Sequence, residues 1–233
     1  MNKYFYLLSG NIDPARDTDK IHLDMLKETN KEKPKLVLFA TASVGTDWHE
    51  NYKANISNIF AKYNCQFDII DDPNDNIAEK LRDTDIVYFL GGSPYKHTVL
   101  TQYKDLFEVI PIKAGTSAGS IYLGYHTFFA GKDDYVIAIP NMLDFVNLHI
   151  LPHSETHTED IVFNYLVNEA RISVARIYNQ AAIKIEISND VQIVTTLMGK
   201  SQGMIEKVEI VLNNNTFYQS SEDKILNIAK LVN

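Results

Sequence analysis

The chain has 233 residues and a mass of 26.5 kDa, with 45% hydrophobic and 22% charged side chains. This is the composition of a globular protein within the span of one domain, and it excludes disordered, collagen-like and coiled-coil classes. A net charge of −8 and a pI near 5.3 oppose phosphate-tracking nucleic-acid binding and adhesion to acidic membranes. The single cysteine, Cys65, excludes an internal disulfide and any cysteine-based zinc cluster. No apolar run approaches the roughly 18 residues of a spanning helix, and Tyr4 to Leu8 is too short for a signal segment, so a cytoplasmic location is expected.

Up to about residue 125, short apolar runs alternate with helical patterns. Tyr4 to Leu8 reads as a strand ending at Ser9-Gly10, and Asp17 to Thr29 as a helix with a weak apolar stripe. Leu36 to Ala40 is wholly apolar, as expected of a strand buried on both faces. Asp47 to Tyr63 is the clearest helix, because Trp48, Tyr52, Ile56, Ile59, Phe60 and Tyr63 recur on one face. Phe67 to Ile70 gives a third strand, Ile77 to Leu81 a short helix, and Ile86 to Leu90 a fourth strand. The last runs into Gly91-Gly92-Ser93-Pro94. Ser93 is a candidate N-cap and Pro94 a candidate first residue of a helix running toward Phe107. This alternation predicts a mostly parallel sheet with helices on both faces, whose strand C-termini share one edge where ligands bind.

The last third changes character. Ala182 to Ile187 and Val191 to Thr195 flank Ser188-Asn189-Asp190, and Val208 to Leu212 and Thr216 to Tyr218 flank Asn213-Asn214-Asn215. Both read as hairpins. The expectation is one α/β domain over residues 1–233 with an antiparallel C-terminal extension.

The sharpest local signal is Gly115-Thr116-Ser117-Ala118-Gly119, a G-x-S-x-G pattern between an extended segment and an apolar helical one. In this setting the serine occupies a strained strand-to-helix turn. Bulky residues two positions either side would collide with the flanking elements, and the following N–H is free for an oxyanion. A hydroxyl needs a base. Among seven histidines, His153 has the best position, just past the strand-like Leu148 to Pro152 run. If that strand is parallel to the others, His153 shares an edge with Ser117. His49, His97, His126 and His157 fall on helical segments. His153-x-x-x-His157-x-Glu159 has metal-ligand spacing, but the Pro152-His153 step breaks a helix and no third ligand is evident, so no metal is assigned. No cofactor is implied.

Phe89-Leu90-Gly91-Gly92, Ala114-Gly115-Thr116-Ser117-Ala118-Gly119-Ser120 and Leu151-Pro152-His153 together resemble the dipeptidase E and cyanophycinase family of serine peptidases. The Leu36 to Ser43 segment also looks like that family's second strand and loop. The resemblance spans about residues 3 to 190. It implies a class I glutamine amidotransferase-like fold in which Ser117 is the nucleophile, His153 the general base, and Gly92 and Ala118 the oxyanion donors. It also implies a small peptide as substrate.

Two segments depart from the family pattern. The loop after the fourth strand reads Gly91-Gly92-Ser93-Pro94-Tyr95 where relatives carry a Gly-Gly-Gly-Asn-Thr-like sequence. In the stretch where many members place the triad acid, this chain has Asn179. Asp133 and Asp134 are substitute acids, although Gly131-Lys132-Asp133-Asp134 also reads as a solvated turn. The expected activity is serine-dependent hydrolysis of small peptides through an acyl-enzyme. An esterase or amidase, or a non-catalytic relative that binds a peptide or small acid, remain as alternatives, and a homodimer is left open.

Overall fold

The computed structural model describes residues 2–10, 18–125, 127–130, 136–139, 142–154, 157–189, 191–199, 206–213, 216–226 and 228. The first half forms β1 (Lys3–Leu8), α1 (Asp19–Lys27), β2 (Lys35–Phe39), α2 (His49–Ala61), β3 (Gln66–Ile70), α3 (Ile77–Lys80), β4 (Ile86–Phe89), α4 (Pro94–His97), α5 (Lys104–Glu108), β5 (Ile112–Thr116) and α6 (Ala118–Leu123). The second half adds β6 (Thr127–Ala130), β7 (Val136–Ile139), β8 (His149–Leu151), α7 (His157–Tyr165), β9 (Val174–Tyr178), β10 (Ala181–Ser188), β11 (Val191–Met198), β12 (Lys207–Val211), β13 (Phe217–Ser220) and β14 (Lys224–Leu226).

An eight-stranded sheet has the order β14-β11-β10-β1-β5-β4-β2-β3. Its β1, β5, β4, β2 and β3 run parallel, so Leu8, Thr116, Phe89 and Phe39 all end on one edge. The β10, β11 and β14 strands add to it antiparallel. The apolar runs are explained by burial of both faces. Phe5, Leu7, Val37, Phe39, Val87 and Phe89 enter one core, whereas Tyr4, Tyr6, Leu36, Leu38, Ile86 and Tyr88 enter another, beneath Ile21 and Met25 of α1 and Ile56, Ile59 and Phe60 of α2. The α2 stripe therefore faces the sheet as its spacing requires, except that Trp48 remains 44% exposed with its ring edge-on to Tyr52.

Three local expectations are corrected. The helix from Pro94 toward Phe107 is broken into α4, a tight 3-10 segment Thr98–Tyr103, and α5. Thr98, Val99 and Thr101 are β-branched and weak helix formers, and His97 is turned into the core. Ser93 stands at the N-cap position but makes no side-chain cap. The strand before His153 does not join the main sheet, because β10 already occupies that flank of β1. Instead β8 pairs parallel with β9 in a four-stranded sheet ordered β13-β12-β9-β8, which also takes the second hairpin. Leu148, Ile150, Ala175, Ile177, Val208 and Ile210 of this sheet's region share a core with the main sheet's Phe5, Leu7 and Phe89.

Lys113 on β5 is 1% exposed. Its ammonium donates to the carbonyls of Glu108 and Ile110 and lies over the Phe5 and Phe145 rings. Burial pushes its pKa down to about 7, and repulsion from Lys3 adds to the shift. The unfolded chain keeps that proton to roughly pH 10.4, so between these values it binds more protons than the folded chain and stability rises with pH. Lys113→Met removes this dependence. Melting temperatures measured from about pH 7 to 9.5 should show wild type gaining on the variant; parallel curves would contradict the assignment.

Candidate active site

The site lies where β1, β5 and β4 end side by side. At the end of β5 the chain must turn from strand to helix within one residue, and Ser117 does so at φ 52°, ψ −116°. For a non-glycine residue this conformation costs about 1–3 kcal/mol. Its neighbours make the turn sterically feasible. A Cβ on Gly115 would come within 2.4 Å of the Gly119 backbone, and one on Gly119 within 1.9 Å of the Phe89 carbonyl oxygen. The two glycines thus let α6 lie directly against β5 and β4. The Ser117 N–H donates to the Leu8 carbonyl (3.0 Å), and the Ser120 hydroxyl contacts the carbonyls of Leu8 and Gly115, each at 2.7 Å. These bonds tie the turn to β1.

His153 enters from the second sheet. The chain leaves β8 through Pro152 and places His153 at φ 54°, again left-handed. Its Nε2 is 2.9 Å from Ser117 Oγ. The segment after β1 prepares this meeting. The His153 N–H donates to Ser9 Oγ (2.8 Å), while Gly10 leaves the space the ring fills, since a Cβ there would lie 2.1 Å from His153 Cε1. Ser9 and Gly10 mark only a strand end in the sequence; their spatial role depends on a segment more than 140 residues away.

Asn179 is buried and left-handed (φ 47°) in the turn joining β9 to β10. Bonds on either side of it reach the histidine's neighbours: Ser154 N–H donates to the Ile177 carbonyl (3.4 Å) and Ser9 N–H to that of Ala181 (3.2 Å). Asn179 therefore lies at the same end of the fold as His153. Asp133 and Asp134 lie outside the described residues, as do His126 and the side chains of His157 and Glu159.

The Ala118 N–H belongs to the first turn of α6, where no intrahelical carbonyl reaches. Gly92 is exposed on the opposing loop at φ 135°, and its Cβ would stand 2.3 Å from the Ala42 carbonyl oxygen. Gly91 is close enough to Ser117 that a Cβ on it would be 3.2 Å from that of the serine. Among the described residues, one group, His49, Glu50 and Asp71, could offer metal ligands. Its carboxylates are already bridged by Lys53 Nζ, at 2.9 Å from Glu50 and 2.7 Å from Asp71. That lysine holds the Asp71 carboxyl below the usual range.

The sequence model of peptidase family S51 matches residues 5–193. No curated protein matches the chain. Among solved structures, a peptidase from an acI-B1 Actinobacterium superposes with a TM-score of 0.75 at 15% identity, over 98% of each chain. A Listeria monocytogenes EGD-e protein provisionally named peptidase E superposes with a TM-score of 0.60 at 20% identity, over 85% of this chain and 99% of that one. At these identities the likeness is one of fold, a mostly parallel sheet flanked by helices. The match of the family model across most of the sequence carries the assignment: this chain belongs to peptidase family S51.

Proposed function

We propose that the protein is a serine peptidase that hydrolyses small peptides through an acyl-enzyme, with Ser117 as nucleophile and His153 as general base. One observation carries this reading: a serine in a strained strand-to-helix turn with a histidine nitrogen 2.9 Å from its hydroxyl. His153 Nε2 takes the hydroxyl proton as Oγ attacks the scissile carbonyl. The Ala118 and Gly92 N–H groups receive the developing oxyanion, and His153 returns the proton to the leaving amine. Water, activated by the same nitrogen, then releases the acid. Asn179 is the third member in this scheme. Its amide can orient the imidazole but brings no charge to stabilise the imidazolium.

The reading of residues 1–233 as one α/β domain is supported by the apolar core that both large sheets share. Among the described residues no helix is long and apolar enough to cross a membrane.

Three substitutions test the scheme. Ser117→Ala should abolish turnover of a dipeptide panel and labelling by a fluorophosphonate, with melting temperature unchanged, because the strained hydroxyl is held for chemistry. Hydrolysis surviving in Ser117→Ala would assign the nucleophile elsewhere, and a wild type that does neither would favour a non-catalytic binding protein.

Gly10→Ala places a methyl where the imidazole stands and should lower kcat by about tenfold or more, with a small change in melting temperature. An unaffected kcat would mean that the His153 position seen here is not the working one.

Asn179→Asp supplies a carboxylate at the proposed third position. Because exchanging acid for amide in a Ser-His-Asp enzyme costs about 10⁴-fold, kcat should rise by about tenfold or more. No change would remove Asn179 from the catalytic group.

A further inference from the structure

The loop that carries Gly92 contains two consecutive glycines, a sequence whose peptide planes turn over easily. An oxyanion donor must instead be held in place before the charge forms. The structure shows what restrains this loop. His97 Nε2 is 2.8 Å from the Leu90 carbonyl oxygen, and His97 Nδ1 is 2.8 Å from Thr41 Oγ1. A carbonyl can only accept, so Nε2 carries the hydrogen and Nδ1 accepts from the threonine hydroxyl. The ring is fully buried, stacked on Tyr122 of α6 (5.2 Å, 29°) and edge-on to Phe89 (5.7 Å, 80°). Burial pushes its pKa down to about 4, which keeps this neutral pattern at working pH.

On the other side, Gly91 N–H donates to Tyr52 Oη at 2.9 Å. Burial raises the Tyr52 phenol, so it stays protonated. The Leu90 carbonyl and the Gly91 N–H are the two ends of one peptide unit, and turning that unit over requires both bonds to break. Two residues later, Ser93 N–H donates to the Ala42 carbonyl at 2.9 Å. The Gly91–Gly92 amide, which presents the Gly92 N–H, thus lies between two anchored peptides.

We propose that Tyr52 and His97 clamp the Leu90–Gly91 peptide and thereby hold the Gly92 N–H toward the oxyanion position. The inference rests on the serine mechanism proposed above. Both are positioning residues, supplied by α2 and α4 from opposite ends of one peptide unit. The clamp contributes to the transition state, where charge sits on the carbonyl oxygen, and little to substrate binding. His97 also joins the nucleophile's helix to the oxyanion loop, since one ring meets Tyr122, Thr41 and Leu90.

The test compares wild type with Tyr52→Phe, His97→Leu, His97→Gln and the Tyr52→Phe/His97→Leu double variant. The readouts are kcat and KM on a dipeptide that wild type cleaves, normalised to titrated active sites, the rate of Ser117 modification by a fluorophosphonate, and melting temperature. In that modification the Ser117 Oγ–P bond forms, the P–F bond breaks with loss of fluoride, and the hydroxyl proton passes to His153. Tyr52→Phe and His97→Leu should each lower kcat and the modification rate about 10- to 100-fold, with KM within about threefold. The double variant should lose little more than the worse single, because a released peptide has no use for its second contact. His97→Gln, whose amide can donate from nearly the same place, should keep most of the activity.

The clamp is overturned if kcat per active site stays within about twofold, if the loss appears in KM, or if the single losses multiply in the double variant. Should His97→Leu fail to fold, Tyr52→Phe alone decides between these results. A wild type that neither cleaves dipeptides nor is modified at Ser117 would overturn the serine mechanism itself, and the clamp with it.

Discussion

The strand-to-helix turn at Ser117 is the constraint around which the rest of the site is built. A left-handed, non-glycine residue at that point is unfavourable by about 1–3 kcal/mol on its own. It persists because its surroundings leave no alternative. Gly115 and Gly119 interlock at distances that no larger side chain permits, and the Leu8 carbonyl holds both the Ser117 amide and the Ser120 hydroxyl. The turn is also shared between elements: β1 supplies its acceptor, β4 its contact surface and α6 its continuation. The central position of β5 between β1 and β4 gives Ser117 anchored neighbours on either side.

His153 reaches the turn by another route. Its strand belongs to the smaller sheet, so the approach of His153 to Ser117 depends on how two sheets share a core and not on register within one. The end of β1 couples the two. Leu8 serves the serine, Ser9 receives the histidine's N–H, and Gly10 leaves its ring room. Three consecutive residues therefore set the geometry of two side chains that are distant in sequence. His153 is itself left-handed, so strain is present on both sides of the 2.9 Å contact.

How much of this was legible depends on range. The parallel strands, α2 and both hairpins follow from local periodicity, and the G-x-S-x-G turn from the volume of its residues. The sequence also points to a shared edge for Ser117 and His153, though for an incomplete reason: the strand before His153 joins the second sheet, a choice set by β10 occupying the β1 flank. The break of the helix after His97 and the contacts of Ser9, Gly10, Tyr52 and His97 are not legible in the sequence. In the sequence His97 is one more histidine on a helix, because its bonds to Leu90 and Thr41 exist only once β2 and β4 are paired. Tyr52 is one member of an apolar stripe, and nothing in that stripe shows that its hydroxyl ends at a glycine amide. His22 and His97, both buried and with pKa values that burial lowers to about 4, show that histidine content alone does not mark a base.

The central claim is that Ser117 forms a covalent acyl bond with substrate while His153 carries its proton. Acid quenching during turnover of a slowly hydrolysed peptide ester, followed by mass spectrometry of the digested protein, tests this most directly. The account predicts an adduct of the acyl group's mass on the peptide containing Ser117, absent in Ser117→Ala and not accumulating in His153→Ala. An adduct on a different residue, or turnover without any covalent species under conditions where deacylation limits the rate, would contradict it.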